Sequence, residues 1–464
     1  MITRSRLALG AAILVISTAA FAEQRALLVG VGKYSAPGND LPGIDLDLDR
    51  MRNTLNIMGF EDSQIHSLLD EKATAANVLA EVRGWLTKGV EPTDRVVLYF
   101  SGHGAYVPDF DGDEADGVDE VLVTHDVRRT RVRGRPSLKG VILDDELNEL
   151  LSKIKSRNIL TIVDACHSGT STRSFNLDDK SLVEDPVFAK IFTYEGMPEK
   201  TAVAMTRSAA IADESHLNYV SISAAADDEK AIGTSKGGIF TIGLSNAIIE
   251  AAKKGNTVTL QELHTQASAY IQSKLSGDRI HHPQISGNPT LAGGALQIVP
   301  LTNGNGPNRK RLLELVAQQG SAFDLRATKS TYVVDDPVEL HMQIPPGGGY
   351  LNVVTVDAQD NATVLFPNQF HLDNAVDPGA FRIPTETMAF ELPASEPLGP
   401  TLVAAFVTQD RINFYEQTLE GRDSNGNVNV AFTTLSPTAT RAIRFAPKRK
   451  QMHAAKLELN VVGK

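Results

Sequence analysis

Short apolar runs alternate with amphipathic stretches over the first 300 residues. Three of the runs have the length and composition of strands that are buried on both faces of a sheet, namely residues 26–31, 95–100 and 159–163. Between them, apolar residues recur every three to four positions, which predicts helices over residues 45–58, 74–85 and 144–154. Strands that alternate with helices predict an α/β layered domain with a mostly parallel sheet flanked by helices.

The pattern changes twice further along the chain. Residues 171–215 are polar and lack a strong period, so we interpret them as a long linker inside the first domain, which spans residues 23–300. Residues 301–312 are rich in turn formers and predict a domain boundary. Beyond them apolar residues alternate with polar ones, which predicts an all-β, sandwich-like domain over residues 313–464.

Composition and charge narrow the class of protein. Hydrophobic residues make up 42% of the chain and charged residues 22%, as in an ordinary globular protein. The net charge of −11 disfavours a nucleic-acid partner, because a phosphate backbone would be repelled. Cys166 is the only cysteine, so the chain cannot form an internal disulfide.

The N-terminus predicts export. Arg4 and Arg6 precede an apolar run over residues 7–20, and Ala-Phe-Ala at residues 20–22 fits a cleavage site before Glu23. These features are typical of a secretory signal peptide over residues 1–22. We expect a periplasmic or secreted protein with no transmembrane segment in its mature chain. The alternative is an N-terminal anchor that stays uncleaved.

Two segments with chemical potential follow buried strands. Ser-Gly-His-Gly at residues 101–104 and Asp-Ala-Cys-His-Ser-Gly at residues 164–169 each come directly after an apolar run. The carboxyl ends of parallel strands meet at one edge of a sheet, so His103 and Cys166 are expected at the same rim. A thiol with a base beside it can attack a carbonyl, whereas a lone histidine or cysteine is more often structural. The pairing favours catalysis over packing.

These two segments resemble those of the caspase-like cysteine peptidases, and of metacaspases more than animal caspases. The acidic stretch at residues 109–120 also matches, and the resemblance covers about residues 24–300. It implies a caspase-like layered domain that hydrolyses peptide bonds. The β-rich part that follows resembles a domain of unknown function that is often appended to secreted bacterial caspase-like proteins.

The resemblance also implies roles for individual residues. His103 would be the general acid/base, and Cys166 would be the nucleophile that forms an acyl-enzyme. The backbone amides of Gly104 and Cys166 would form the oxyanion hole. No cofactor is expected for this chemistry.

A substrate pocket with two carboxylates is expected beside the nucleophile. Asp164 precedes Cys166 by two residues, and the family pattern adds Asp47 and Ser101. Asp227 belongs to a segment that would line the cleft. Such a pocket attracts Arg or Lys and repels Asp, so the expected partners are proteins or peptides that are cut after Arg or Lys. The alternatives are a solvated helix face for Asp47 and a backbone-capping role for Asp164.

Calcium is the expected activator by the same resemblance. Related metacaspases bind it through aspartates that match Asp119, Asp144 and Asp145. A further family aspartate is replaced here by Arg173, which weakens the match. The alternative is a solvated acidic turn.

Two further hypotheses concern self-cleavage of the chain and the class of protein. The stretch over residues 171–215 is a candidate for self-cleavage, at Arg173, at Arg207 or at one of its lysines. Competing functions are a non-catalytic scaffold that acts through its β-domain and another cysteine hydrolase of legumain-like or gingipain-like type. The sequence leaves the oligomeric state open.

Overall fold

The described part of the chain contains two units with separate hydrophobic cores. The computed structural model describes residues 22–112, 114, 117–166, 187–198, 216–226, 229–301, 304–319, 322–368, 370–415 and 452–464. Buried apolar residues from Ala26 to Leu301 form one cluster. Those from Leu312 to Val461 form two more. We call the parts before and after residue 302 the N-terminal unit and the C-terminal unit.

The N-terminal unit contains short strands and six α-helices among its described residues. Its strands are β1 (Gln24–Gly30), β2 (Ile65–Leu69), β3 (Arg95–Ser101), β4 (Gly104–Pro108), β5 (Val118–Val132), β6 (Arg135–Leu143), β7 (Ile159–Asp164), β8 (Val187–Ala189), β9 (Tyr219–Ser223), β10 (Ile232–Thr234), β11 (Gly237–Gly238), β12 (Val258–Thr259), β13 (Gln284–Gly287) and β14 (Ala295–Leu296). Its helices are α1 (Ile44–Ile57), α2 (Ala75–Gly84), α3 (Asp144–Ser152), α4 (Ile239–Lys254), α5 (Leu260–Lys274) and α6 (Pro289–Gly293).

A six-stranded sheet forms the centre of this unit, with strand order β13-β9-β7-β3-β1-β2. All neighbours are parallel except β13, which runs antiparallel to β9. The predicted apolar runs are its central strands, and they are buried because residues of the surrounding helices share their core. The register places Ser101 beside both Gly30 and Asp164, so the ends of β1, β3 and β7 meet at one edge.

Two smaller sheets lie next to this edge. Strands β4, β5 and β6 form an antiparallel sheet, and β8, β10 and β11 form another. Strand β8 falls within residues 171–215, for which the sequence predicts only a linker. Three residues are too few to show a period, and β8 exists through its pairing with β10, about 45 positions later.

The C-terminal unit is β-rich and contains several sheets. It begins with helix α7 (Pro307–Ala317) and continues with β15 (Leu325–Ala327), β16 (Thr331–Val333), β17 (Leu340–Ile344), β18 (Gly349–Val356), β19 (Ala362–Phe366), β20 (Ala375–Val376), β21 (Gly379–Ile383), β22 (Gly399–Thr408) and β23 (Met452–Val462). One sheet has the order β16-β23-β22-β18-β19, with β20 also paired to β18, and the other has the order β15-β17-β21.

Side chains that alternate along β18 pack into two different hydrophobic cores, one on each face of the sheet. Leu351 and Val353 join the core that is shared with the three-stranded sheet. Val354 and Val356 point to the other face, where they share a core with Leu312 of α7. The sequence does not predict α7, although Pro307 at its first position is a typical helix start. Among the described helices of the whole chain, none combines the length and apolar character needed to cross a membrane.

Candidate active site

The loops after β3 and β7 touch each other. The Gly102 N–H donates a hydrogen bond to the Asp164 carbonyl at 3.3 Å. A Cβ on Gly104 would lie 1.8 Å from the carbonyl oxygen of Cys166, so only glycine allows this approach. His103 and Cys166 therefore lie on adjoining loops at one edge of the central sheet.

The ring of His103 is held in one tautomer. Its Nε2 lies 2.9 Å from the Asn39 carbonyl, which can only accept a hydrogen bond, so Nε2 carries the proton. Nδ1 is then an unprotonated base, and it is buried without a hydrogen bond to any described residue. Burial lowers the pKa of His103 to about 4, against the opposing effect of the Asn39 carbonyl. The hydroxyl of Tyr34 also accepts the His103 backbone N–H at 2.7 Å.

The thiol of Cys166 is covered. Its exposed fraction is 0%, and its Sγ lies 3.5 Å from the Ala231 carbonyl. Burial raises the pKa of this thiol to about 12, so the closed structure holds it in the neutral form. A segment of the chain itself covers the thiol. Lys190 and the residues on either side of it lie across the site.

The backbone carbonyl of Lys190 lies on two converging amides. Its carbonyl oxygen accepts hydrogen bonds from the N–H of Gly104 at 3.0 Å and from the N–H of Cys166 at 3.2 Å. Two backbone donors that converge on one carbonyl oxygen form the geometry that stabilises a tetrahedral oxyanion. These are the two amides that the family resemblance assigns to the oxyanion hole.

The side chain of Lys190 fills a fully buried acidic pocket. Its Nζ lies 2.9 Å from Asp164 Oδ1, 3.3 Å from Asp47 Oδ2 and 2.9 Å from Ser101 Oγ. Burial by itself would lower the pKa of Lys190, but the charges of Asp164 and Asp47 outweigh it and hold the pKa above its ordinary value. Burial raises the pKa of Asp47, and Lys190 opposes that effect. The ammonium is therefore charged and paired inside the pocket.

The start of α4 orients both carboxylates. The Gly238 N–H donates to the two oxygens of Asp47 at 2.9 and 3.0 Å. The hydroxyl of Thr241 donates to Asp164 Oδ2 at 2.6 Å. A Cβ on Gly238 would lie 2.0 Å from Asp164 Oδ2 and 2.5 Å from Lys190 Nζ, so the pocket needs glycine at this position.

The structure brings together most of the site residues that the sequence predicts. His103, Gly104 and Cys166 border the Lys190 carbonyl, and Asp47, Ser101 and Asp164 surround its ammonium. Asp227 lies outside the described residues, as do Arg173 and Arg207. Sequence reasoning did not assign Tyr34, Asn39, Gly238 or Thr241 to the site, and it considered Lys190 only among the lysines at which self-cleavage could occur.

The predicted metal ligands do not form one group. Ligand atoms of Asp144 and Asp145 lie within 4.8 Å of one another and of Glu114, whereas Asp119 groups with Asp109 and Asp111. Asp119 pairs with Val107 near the end of β4, and Val121, two residues further along β5, pairs with Leu143 directly before α3. Calcium binding by Asp119 together with Asp144 and Asp145 stays a prediction.

The group of Glu114, Asp144 and Asp145 fits a hard cation. Three carboxylates supply the oxygen ligands that Ca²⁺ prefers. Burial, followed by the charges of Glu120, Asp145 and Glu114, raises the pKa of Asp144 to about 7. A bound cation would relieve this repulsion.

Comparison with known proteins agrees with the geometry. The family described as "Caspase domain" matches residues 23–291, and the family described as "Domain of unknown function (DUF4384)" matches residues 331–411. The chain belongs to the caspase family of cysteine peptidases, and the predicted resemblance and fold class are confirmed.

Its relatives within that family include fungal metacaspases. Metacaspase-1 of Emericella nidulans is 28% identical over 302 residues, which cover 58% of this chain and 71% of the relative. Metacaspase-1B of Aspergillus fumigatus is 30% identical over 298 residues, which cover 57% of this chain and 69% of the relative.

The covered thiol gives a first testable prediction. Lys190→Ala removes the ammonium from the buried Asp164 and leaves the buried Asp47 with the more distant Arg50, which costs about 3–5 kcal/mol and favours release of the covering segment. Alkylation of Cys166 by iodoacetamide, followed by mass spectrometry, is expected to speed up by roughly tenfold or more. The control Lys190→Arg keeps the charge and should change the rate much less. Equal rates in all three proteins would contradict the role of Lys190 in covering the thiol.

Proposed function

We propose that this chain is a cysteine endopeptidase that cuts peptide bonds after Lys or Arg. Lys190 carries the proposal. Its ammonium lies between Asp47 and Asp164 while its carbonyl lies on the two amides beside Cys166, so one residue supports both the specificity and the position of the reacting bond. Asp in place of this lysine would bring a third carboxylate into a buried acidic pocket.

The proposed mechanism uses His103 and Cys166 as a pair. Nδ1 of His103 takes the thiol proton, and Sγ attacks the carbonyl carbon of the basic residue. The oxyanion accepts hydrogen bonds from the N–H of Gly104 and of Cys166. His103 then gives its proton to the departing amine, which leaves a thioester on Cys166. Water, deprotonated by His103, hydrolyses that thioester and restores the thiol.

Calcium is proposed as an activator that acts away from the reacting atoms. Glu114, Asp144 and Asp145 would hold it, and it would supply charge neutralisation at the start of α3. Every catalytic step above belongs to residues of the chain itself. The cation is therefore proposed as a control on the open state of the cleft and not as part of the chemistry.

An assay with reporter peptides tests specificity and activation together. Peptides that end in Arg or Lys before the reporter should be cleaved at least about a hundredfold faster in kcat/KM than those ending in Asp or Asn. Asp would bring a buried like charge that costs several kcal/mol, and neutral Asn would leave the two carboxylates without a cation. Cys166→Ala should abolish turnover, and Asp164→Asn should lower it for basic peptides.

The same assay has matched controls. Asp278→Asn changes an exposed aspartate and should behave like the wild type. Calcium should raise the rate, and Asp144→Asn should weaken that response. Preference for Asp or Asn would contradict the pocket assignment, and no turnover with or without calcium would favour the scaffold alternative.

Self-cleavage provides an independent test. The Lys190–Ile191 bond already has its carbonyl on the two amides, so we expect the purified chain to break there when calcium is added. Mass spectrometry of the fragments should place the break after Lys190, and Cys166→Ala should stay intact. A wild-type chain that stays whole, or that breaks at Arg173 or Arg207 alone, would contradict this assignment.

Export is proposed on the N-terminal pattern, whose residues 1–21 lie outside the described part. A protein cut after Ala22 would begin at Glu23. Expression in a bacterial host, fractionation and N-terminal sequencing should recover that form from the periplasm or the medium. An uncut chain in the membrane fraction would favour the anchor instead.

A further inference from the structure

Residues before and after Lys190 in the sequence both lie in the cleft. Before it, β8 pairs with β10 in an antiparallel register that joins Ala189 to Ile232 and Phe188 to Gly233. The Lys190 N–H adds a hydrogen bond to the Ala231 carbonyl at 3.0 Å. A peptide that adds a strand to an exposed edge receives its affinity from such backbone bonds, and its specificity from the pockets for its side chains.

The first of these pockets lies over Gly233. A Cβ on Gly233 would lie 2.3 Å from Cε2 and 2.8 Å from Cζ of the Phe188 ring, so a larger residue would push the ring away. The backbone of Gly233 does not have a positive φ, so its conformation would allow another residue. The missing side chain therefore makes space for the aromatic ring.

A second aromatic pocket lies on the other side of Lys190. The Phe192 N–H donates to the Gly104 carbonyl at 2.8 Å, and its ring is 0% exposed. The centroid of that ring lies 6.1 Å from that of His103, at an interplanar angle of 72°, and 6.4 Å from that of Tyr34. These are edge-to-face and tilted aromatic contacts, which add specificity to the burial of the ring.

We infer that the cleft selects substrates in which the basic residue is flanked by aromatic residues, one at the third position before the cut and one at the second position after it. Phe188 and Phe192 occupy these two positions around Lys190, so the preferred pattern is Phe-x-Lys-x-Phe, with Arg accepted in place of Lys. The inference rests on the proposed function, because it concerns substrates of the same cleft. It adds two selective pockets to the acidic one.

Four hexapeptides test the pattern. The parent is Val-Phe-Ala-Lys-Ile-Phe, and the others replace the first Phe, the second Phe or both with Ala. Cleavage between Lys and Ile is followed by liquid chromatography, with calcium present. Wild type and Lys190→Ala are both assayed, because the variant lacks the ammonium that holds the chain's own segment in the pocket. Each replacement is expected to lower kcat/KM by roughly tenfold, since each removes the contacts of an aromatic ring, which is half-buried at Phe188 and fully buried at Phe192.

The outcomes separate this inference from the proposed function. If all four peptides are cleaved within about twofold of one another, the aromatic pockets are overturned and cleavage after Lys stands. If neither protein cleaves any of them, the proposed function fails and this inference fails with it. A selective loss at only one of the two positions would overturn the pocket at the other.

Gly233→Ala provides a sharper readout, because its Cβ would enter the space of only one ring. The preference for Phe over Ala at the third position before the cut should fall towards one, while the preference at the second position after the cut is kept. Both ratios are measured within the same variant, so partial loss of folded protein cancels out. Gly84→Ala, at the exposed end of α2 with open space around its Cβ, is the matched control and should keep both ratios. Two unchanged ratios in Gly233→Ala would overturn the pocket over Gly233.

Discussion

The ion group of Lys190, Asp47 and Asp164 is the interaction on which the closed site depends. All three side chains are completely buried, and isolated charges in that position would each cost several kcal/mol. Together with Arg50, which lies 3.7 Å from Asp47, the group balances two positive charges against two negative ones. The pocket therefore needs a cation at neutral pH. Without a cation, the pocket must admit water or take up a proton. This requirement explains why a segment of the chain with a lysine occupies the pocket.

Burial by the same segment also sets the protonation of His103 and Cys166. With the pKa of Cys166 at about 12 and that of His103 at about 4, both groups are neutral at pH 7. A thiolate–imidazolium pair needs solvent or a reacting carbonyl to stabilise its charges. The imidazole already has its tautomer fixed by Asn39, and the two amides already converge on one oxygen. Under the proposed function, activation would therefore mainly require uncovering the site, because its parts are in place.

Sequence predicted the parts of this arrangement that depend on local pattern. The apolar runs at β1, β3 and β7 specify a buried parallel sheet, and strand ends of such a sheet must share an edge, so Ser101 and Asp164 could be placed side by side. Lys190 could not be found this way, because its short apolar stretch at residues 187–192 lies within a longer polar segment and its position depends on pairing with β10. The acidic loop depends on the fold in a related way. The order of its seven carboxylates along the chain does not show that ligand atoms of Asp119 group with Asp109 and Asp111, whereas those of Glu114 group with Asp144 and Asp145.

The covering segment has an advantage over any free substrate, because it belongs to the same chain as its pocket. A tethered ligand acts at an effective concentration of about millimolar, so a peptide in solution must compete against it even when its contacts are equally good. Cutting the Lys190–Ile191 bond would leave Cys166 and Lys190 on one fragment and Ile191 and Phe192 on the other. The new carboxylate of Lys190 could still accept hydrogen bonds from the N–H of Gly104 and of Cys166. Release of the segment after the cut would then depend on losing the ring of Phe192 and its backbone bond to Gly104, so these contacts add to the ion group of Lys190 in holding the uncut chain in its own site.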